Sequence, residues 1–377
     1  MINCIYGLAK FKRKNVKKKI LLISNMYPSE KYPHYGVFVE NTVNVLKSAG
    51  FKLHIISIKK VDNKLNKLFK YILFYTKSIL YILFGNYEII YAHYASHTAF
   101  PVLIGNFFKR KKVIVNVHGN DVIPETGEDI KYLKLTNKLL TRSDGIICPS
   151  EYFKMYLIKN YNIDPLKLVV YPSGGVNTKL FTKMSKSLAR EKIGIDLNYD
   201  YIGYISRIEK NKGWDIFLKA CKEIISTYKN IKIIVVGDGS QIDEYNRLVD
   251  ELNIRNYIIK YELLSQEKIM YVYNALNVFV FPSNRKSESL GLVGLEAMAC
   301  QALVVVSDKY GPSSYSIDLE NSFIFESGNE KSLYKSISKA LDYKGEEIGV
   351  NARRTAELYN HENTDSILVN YFKEFIS

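Results

Sequence analysis

Residues 278–308 read VFVFPSNRKSESLGLVGLEAMACQALVVVSD. VFVFPS (278–283) is an apolar run of strand length, and ALVVVSD (302–308) is a second. Between them a polar loop leads to small residues, Gly291 and Gly294, that open an apolar helix. Strand, helix and strand in about thirty residues make a βαβ unit, and such units build parallel sheets.

The same alternation fills the chain. ILLIS (20–24), LHIISI (53–58), EIIYAHY (88–94) and VIVNVHG (113–119) predict strands, with an amphipathic helix over 37–48 stopped by Gly50. After residue 180 the pattern restarts with YIGYIS (201–206), a helix from Trp214 to Tyr228 and IKIIVVGDG (231–239). The polar stretch 180–198 separates the two series, and a last helix spans 364–376 after a break at 360–363. The expected architecture is α/β, with two Rossmann-like, doubly wound domains facing a central cleft. Ligands in such sheets sit beyond the strand C-termini.

Chemistry is therefore sought in the loops after the strands. In 285–300, Glu288 and Glu296 flank the helix start, a pairing that looks wrong for an anion site. The free N–H groups of Leu290, Gly291, Leu292 and Val293 would bind an anion with the helix dipole behind them. Glu296, about two turns inside the helix, could accept from a ribose diol, and Glu288 from hydroxyls on a group attached to the phosphate. SRIEKNKGW puts Arg207 and Lys212 after a strand, where two cations suit a diphosphate or serve as ordinary surface charge. NVHGNDV puts His118 and Asp121 at the opposing strand end, with both a structural and a ligand-binding role open to the histidine.

Other classes fall away. GDG at 237–239 lacks the third glycine of a dinucleotide fingerprint, which would fall at Ile242. The chain carries no phosphate-binding P-loop, nucleophile elbow, zinc motif or nucleic-acid signature. Its four cysteines (Cys4, Cys148, Cys221, Cys300) are scattered and form no C-x-x-C pair, so buried free thiols are expected.

Charge is lopsided. Residues 1–180 hold 28 Lys+Arg and 11 Asp+Glu, a net +17; the remaining 25 and 27 give −2, within the total of +15. Such asymmetry fits an anionic surface facing the first half. Residues 64–84, KLNKLFKYILFYTKSILYILF, place Lys64, Lys67, Lys70 and Lys77 on one arc of an otherwise apolar and aromatic helix. It reads either as a core helix with a solvated lysine face or as a helix lying on a membrane surface. The basic N-terminus lacks a signal-peptide core, and the cytoplasm is the expected location.

Together these segments resemble the retaining glycosyltransferases of the group 1, or family 4, type, which have the GT-B fold, over about residues 18–377. The resemblance rests on E-x7-E (Glu288 to Glu296), SRIEKNKG, HGND and PSGGVNTKLF. It implies sugar transfer from a nucleotide-sugar, a UDP- or GDP-sugar as co-substrate, with retention of configuration and no obligatory metal or other cofactor. On this implication Arg207 and Lys212 neutralise the diphosphate, Glu296 holds the ribose, Glu288 the donor sugar, and His118, with Asp121 beside it, the reacting groups. Gly36 marks the acceptor-side loop. The acceptor would be a glycan or a polyprenyl-linked sugar for surface polysaccharide, and nucleic acid is not expected as a partner. The enzyme would be peripheral on the inner, anionic face of the cell membrane. The expected division is a basic extension 1–18, an acceptor-side domain 19–185, a donor-binding domain 195–358 and a helix 359–377 crossing back. Ser206, Gln301, Leu303, Ser314 and the Tyr35-Gly36 pair depart from the family pattern. A nucleotide-sugar epimerase of the same fold and a non-catalytic sugar-binding module are the alternatives.

Overall fold

A computed structural model describes residues 19–61 and 63–376. The basic extension 1–18, with Cys4, lies outside the described residues.

The first half runs β1 (Lys19–Tyr27), α1 (Val37–Ser48), β2 (Lys52–Lys59), α2 (Lys64–Phe84), β3 (Ile89–His93) and α3 (Ala95–Lys109). It continues with β4 (Lys112–Asn116), α4 (Gly127–Arg142), β5 (Gly145–Cys148), α5 (Glu151–Tyr161) and β6 (Leu168–Val170). The second half holds α6 (Lys186–Ile193), β7 (Asp200–Ile205), α7 (Trp214–Thr227), β8 (Ile231–Val236), α8 (Ile242–Glu251), β9 (Ile258–Tyr261) and α9 (Gln266–Ala275). Then come β10 (Val278–Phe281), α10 (Leu292–Ala299), β11 (Leu303–Ser307), β12 (Phe323–Phe325), α11 (Glu330–Asp342), α12 (Glu347–Leu358) and α13 (His361–Ile376).

The strands form two six-stranded sheets, β2-β1-β3-β4-β5-β6 and β12-β11-β10-β7-β8-β9, with parallel pairing throughout. Helices cover both faces, so the central strands are apolar on both sides. Ile20 to Ile23 in β1 and Val304 to Val306 in β11 have no exposed surface. In each sheet the winding reverses once, between β1 and β3 in the first and between β7 and β10 in the second. A crevice opens at the strand C-termini of such a switch point. The two sheets turn these ends toward each other: Tyr152 N donates to Ser314 Oγ at 3.1 Å, and Tyr152 OH to Lys286 O at 3.0 Å.

Helix α13 leaves the second sheet and packs on the first, where Leu368 and Phe372 join Ile20, Leu22, Val39 and Tyr91 in one core. It begins at His361, two residues after α12 and its cap, and not after a break at 360–363. Asn360 explains this, because its side chain accepts from Asn363 N at 2.7 Å and caps the new helix at once. Beside it, Val176 N donates to Tyr359 O and His361 N to Val176 O, so two chain segments cross between the lobes side by side.

Helix α2 buries Phe74, Ser78 and Ile82. Leu65, Leu68, Phe69, Ile72 and Phe84 are left open, at 56 to 81% exposure, with Lys67, Lys70 and Lys77 also exposed. The core-helix reading therefore accounts for one stripe only. No helix among the described residues is long and apolar enough to cross a membrane. Cys148, Cys221 and Cys300 are free and buried.

Candidate active site

At the switch point of the second sheet, the loops after β7 and β10 meet. Lys212 Nζ lies 2.7 Å from Glu288 Oε2, and Ser283 Oγ donates to the same oxygen at 2.8 Å. The two side chains are only 9 and 12% exposed. Burial pushes the Glu288 carboxyl up, but Lys212, Ser283 and Arg285 outweigh it and hold the group below its ordinary value. Glu288 is thus an ionised acceptor, and with both bonds on Oε2 its Oε1 is left for a ligand.

Four residues further on, α10 starts at Leu292 behind Gly291, whose φ is +82°. A Cβ there would meet Phe281 Cε1 at 2.4 Å, so the close turn requires glycine. No side chain caps this helix, and its first N–H groups remain a seat for an anion. Leu290 and Gly291 are buried, while Leu292 and Val293 keep some exposure. Glu296 is the fifth residue of α10, just over one turn inside and closer to the anion seat than the expected two. Tyr273 OH donates to its Oε2 at 3.1 Å. Burial pushes this carboxyl up to about 7, against the lowering effect of Tyr273.

The expected pair of diphosphate cations is divided. Lys212 forms part of the wall, whereas Arg207 stands at the rim, 60% exposed and 2.8 Å from Glu209. Arg207 is thus held at the rim by a solvent-facing ion pair, an interaction of small energy.

Across the cleft, His118 follows β4. Its Nε2 is 3.1 Å from Nδ1 of His93, the last residue of β3, and the rings are nearly parallel. Burial pushes His118 down to about 3 and holds His93 well below its ordinary value, so both are neutral near pH 7. Asp121 does not face the cleft. Its Oδ1 accepts from His118 N (3.0 Å) and Gly119 N (2.8 Å), and its Oδ2 from Ala95 N (2.9 Å). The expected catalytic carboxylate is therefore spent on folding the loop that presents His118. Gly36 ends the β1–α1 loop with φ +79°, and a Cβ there would meet the Met26–Tyr27 backbone at 2.9 Å. It positions α1, whose Phe38 packs on His118 at 4.4 Å.

Several residues of this site are not singled out by the sequence. Glu125 accepts from Arg285 Nε at 2.9 and 3.0 Å and from Ser287 Oγ at 2.6 Å, joining the first lobe to the loop that carries Glu288. Gly119 lies beneath the same loop, where a Cβ would come 3.1 Å from Ser287 O. Arg285 and Ser287 sit in the decisive stretch itself. His93 was readable only as a second histidine at a strand end, and Tyr273 and Ser283 carried no signal.

Two parallel α/β lobes with apposed strand ends define the GT-B architecture, and the chain belongs to the group 1 glycosyltransferases. Residues 31–179 match the family model for Glycosyltransferase Family 4, and residues 185–355 that for Glycosyl transferases group 1. The capsular polysaccharide biosynthesis glycosyltransferase CapM of Staphylococcus aureus is 32% identical over 62% of this chain and 63% of its own. A D-inositol 3-phosphate glycosyltransferase of Gordonia bronchialis is 28% identical over 62% of this chain and 53% of its own. The chain thus spans between half and two thirds of the length of these curated relatives. Among solved structures, the sucrose-phosphate synthase of Thermosynechococcus elongatus shares the fold with a TM-score of 0.76 at 19% identity, covering 96% of this chain and 99% of its own. HepE of Anabaena in complex with UDP-glucose does so with 0.72 at 17% identity, covering 95% and 99%.

Proposed function

We propose that the chain is a retaining glycosyltransferase moving a sugar from a UDP- or GDP-sugar to a glycan or polyprenyl-linked acceptor in surface-polysaccharide synthesis. The observation that carries this is the Lys212–Glu288 pair at the β7/β10 switch point, beside the uncapped start of α10. A nucleoside diphosphate fits between the two glutamates: phosphates on the α10 N–H groups and Lys212, ribose on Glu296, donor sugar on Glu288. Lys212 has three donors and gives one to Glu288. Arg207 swings in from the rim when the diphosphate arrives. CapM, named as a capsule glycosyltransferase, and HepE, solved with UDP-glucose, support the substrate classes.

In the proposed step the acceptor hydroxyl oxygen bonds to the anomeric carbon on the face the diphosphate leaves. The carbon–phosphate-oxygen bond breaks, and the acceptor proton passes to the departing phosphate oxygen. Charge builds on that oxygen, where Lys212, Arg207 and the helix start stabilise it. Neutral His118 hydrogen-bonds the reacting groups from the other lobe, and much of the acceleration is positioning. Residues 19–185 would form the acceptor side, 195–358 the donor side, and 359–377 a strap between them. The open apolar and lysine faces of α2 would rest on anionic lipid at the inner face of the membrane.

A thermal-shift screen against UDP-, GDP- and ADP-sugars, followed by product NMR, tests the reading. A stabilising donor and a product of the donor's own anomeric configuration are expected. Inversion would remove the retaining mechanism, an epimer formed from donor alone would make the chain an epimerase, and binding without any turnover a sugar-binding module.

A further inference from the structure

The register of the first sheet brings two histidines together. β3 and β4 run parallel, His93 pairs with Asn116 at their ends, and His118 follows two residues on. His93 Nδ1 and His118 Nε2 face each other at 3.1 Å, with the rings 16° from parallel. Both side chains are held in place. His93 is wholly buried, with the Tyr91 ring 4.3 Å away, and the Tyr91 hydroxyl accepts from Asn116 Nδ2 at 2.9 Å. Phe38 covers His118, and Asp121 fixes its backbone.

A neutral imidazole carries one N–H, and burial keeps both rings neutral near pH 7. Only one proton fits between Nδ1 and Nε2, so one ring donates and the other accepts. The far side of His93 decides which. Its Nε2 is buried without a partner among the described residues. With His118 as the donor, the His93 proton would sit on that nitrogen, a sealed N–H with no acceptor, which folded chains rarely leave. With His93 as the donor, the same nitrogen is a bare lone pair, the lesser loss. His118 then accepts at Nε2 and carries its own proton on Nδ1. That nitrogen has no hydrogen-bond partner among the described residues, and His118 keeps some exposed surface.

We propose that His93 is a positioning residue that fixes His118 in the Nδ1–H form, so that His118 meets the reacting groups as a hydrogen-bond donor and not as a base. The inference rests on the reading in which His118 reaches those groups, and it narrows that reading. With no lone pair turned to the substrates, His118 takes up no proton, and the acceptor proton passes to the departing phosphate oxygen. His93 touches neither substrate and acts only through His118.

Nitrogen NMR tests this directly, because the chain has six histidines. In protein labelled with 15N-histidine, long-range 1H–15N correlation separates an N–H nitrogen from a bare one, and His118→Ala and His93→Phe assign the two rings. Wild-type His118 should show a protonated Nδ1 and a bare Nε2. In His93→Phe both tautomers should populate. There kcat for the sugar nucleotide selected by the thermal-shift screen should fall about tenfold, the worth of one hydrogen bond, with KM unchanged. His93→Asn, whose amide Nδ2 falls near the place of the imidazole Nδ1, should restore most of kcat. A merely structural His93 would lower the melting temperature in His93→Phe without moving the His118 nitrogens or kcat. That result, or a wild-type His118 protonated at Nε2, would overturn the proposal. Undiminished kcat in His118→Ala, or wild-type protein that turns over no sugar nucleotide, would instead remove the reading beneath it.

Discussion

Arg285 and Glu125 belong to different lobes, yet both carboxylate oxygens of Glu125 lie within 3.0 Å of one guanidinium nitrogen, Nε. Ser287, two residues along, hydrogen-bonds the same carboxylate, and Glu288 follows directly. The loop that carries Glu288 is therefore held in part by the opposite lobe. On the proposed reading, the contact that holds the lobes together also holds the loop that meets the donor.

Arg285→Ala should loosen the closed state. The pair is about one-fifth exposed, so its loss is worth about 1 kcal/mol. The expected outcome is a donor KM raised about fivefold, a smaller change in kcat, and a larger radius of gyration by X-ray scattering. Unchanged KM and scattering would show that the clasp does not govern closure.

Glu288→Gln tests the heart of the site. It keeps the shape and the Ser283 bond but leaves Lys212 buried without its counter-charge, a change that costs a few kcal/mol. Turnover should fall about a hundredfold or more and the melting temperature should drop, with the circular dichroism spectrum retained. Near-normal turnover would remove Glu288 from donor binding.

Glu296 predicts a pH dependence. Its folded value of about 7 lies above the ordinary 4.5, so it favours folding while protonated. That contribution is full below 4.5 and is lost as pH rises through 7. Ligand binding runs the other way, because a ribose diol donates to the carboxylate. UDP affinity should strengthen from pH 6 to 8 while the melting temperature declines relative to Glu296→Gln, and Glu296→Gln should flatten the affinity profile. A flat wild-type profile would contradict the ribose assignment.

The face of α2 gives a fourth test. Lys67→Glu/Lys70→Glu should release the protein from phosphatidylglycerol vesicles, since each lysine near such a surface contributes about 1 kcal/mol. Phe69→Ser/Ile72→Ser should weaken binding even at high salt, where charge is screened. Wild-type protein that ignores the vesicles in flotation would end the membrane reading.

The architecture was legible because apolar runs such as ILLIS and VFVFPS end in glycine-bearing loops, a pattern set by strand burial on both faces. Strands β6, β9 and β12 gave little signal. They are three or four residues long, and β6 and β9 at the sheet edge are only partly buried. In the site, the start of α10 at Gly291 was readable because backbone geometry there demands that residue. Charge alone could not say that Lys212 would be buried against Glu288 while Arg207 stayed in solvent. Asp121 misled for a related reason: a carboxylate after a strand looks the same in sequence whether it faces a ligand or three backbone N–H groups. The Glu125–Arg285 contact joins residues 160 apart, and the ring contacts among Tyr94, His97, Tyr132 and Tyr71 join three helices and a strand end. No local periodicity encodes such meetings.

The return of α13 to the first sheet has a consequence for how the protein is made. Leu368 and Phe372 fill the same core as Ile20 and Tyr91, but they are translated only after the whole second sheet. At 5–20 residues per second the first lobe waits on the order of ten seconds with that apolar face uncovered. The lobe translated first is thus the one whose core closes last, and its nascent form is a client for whatever shields apolar surface at the ribosome.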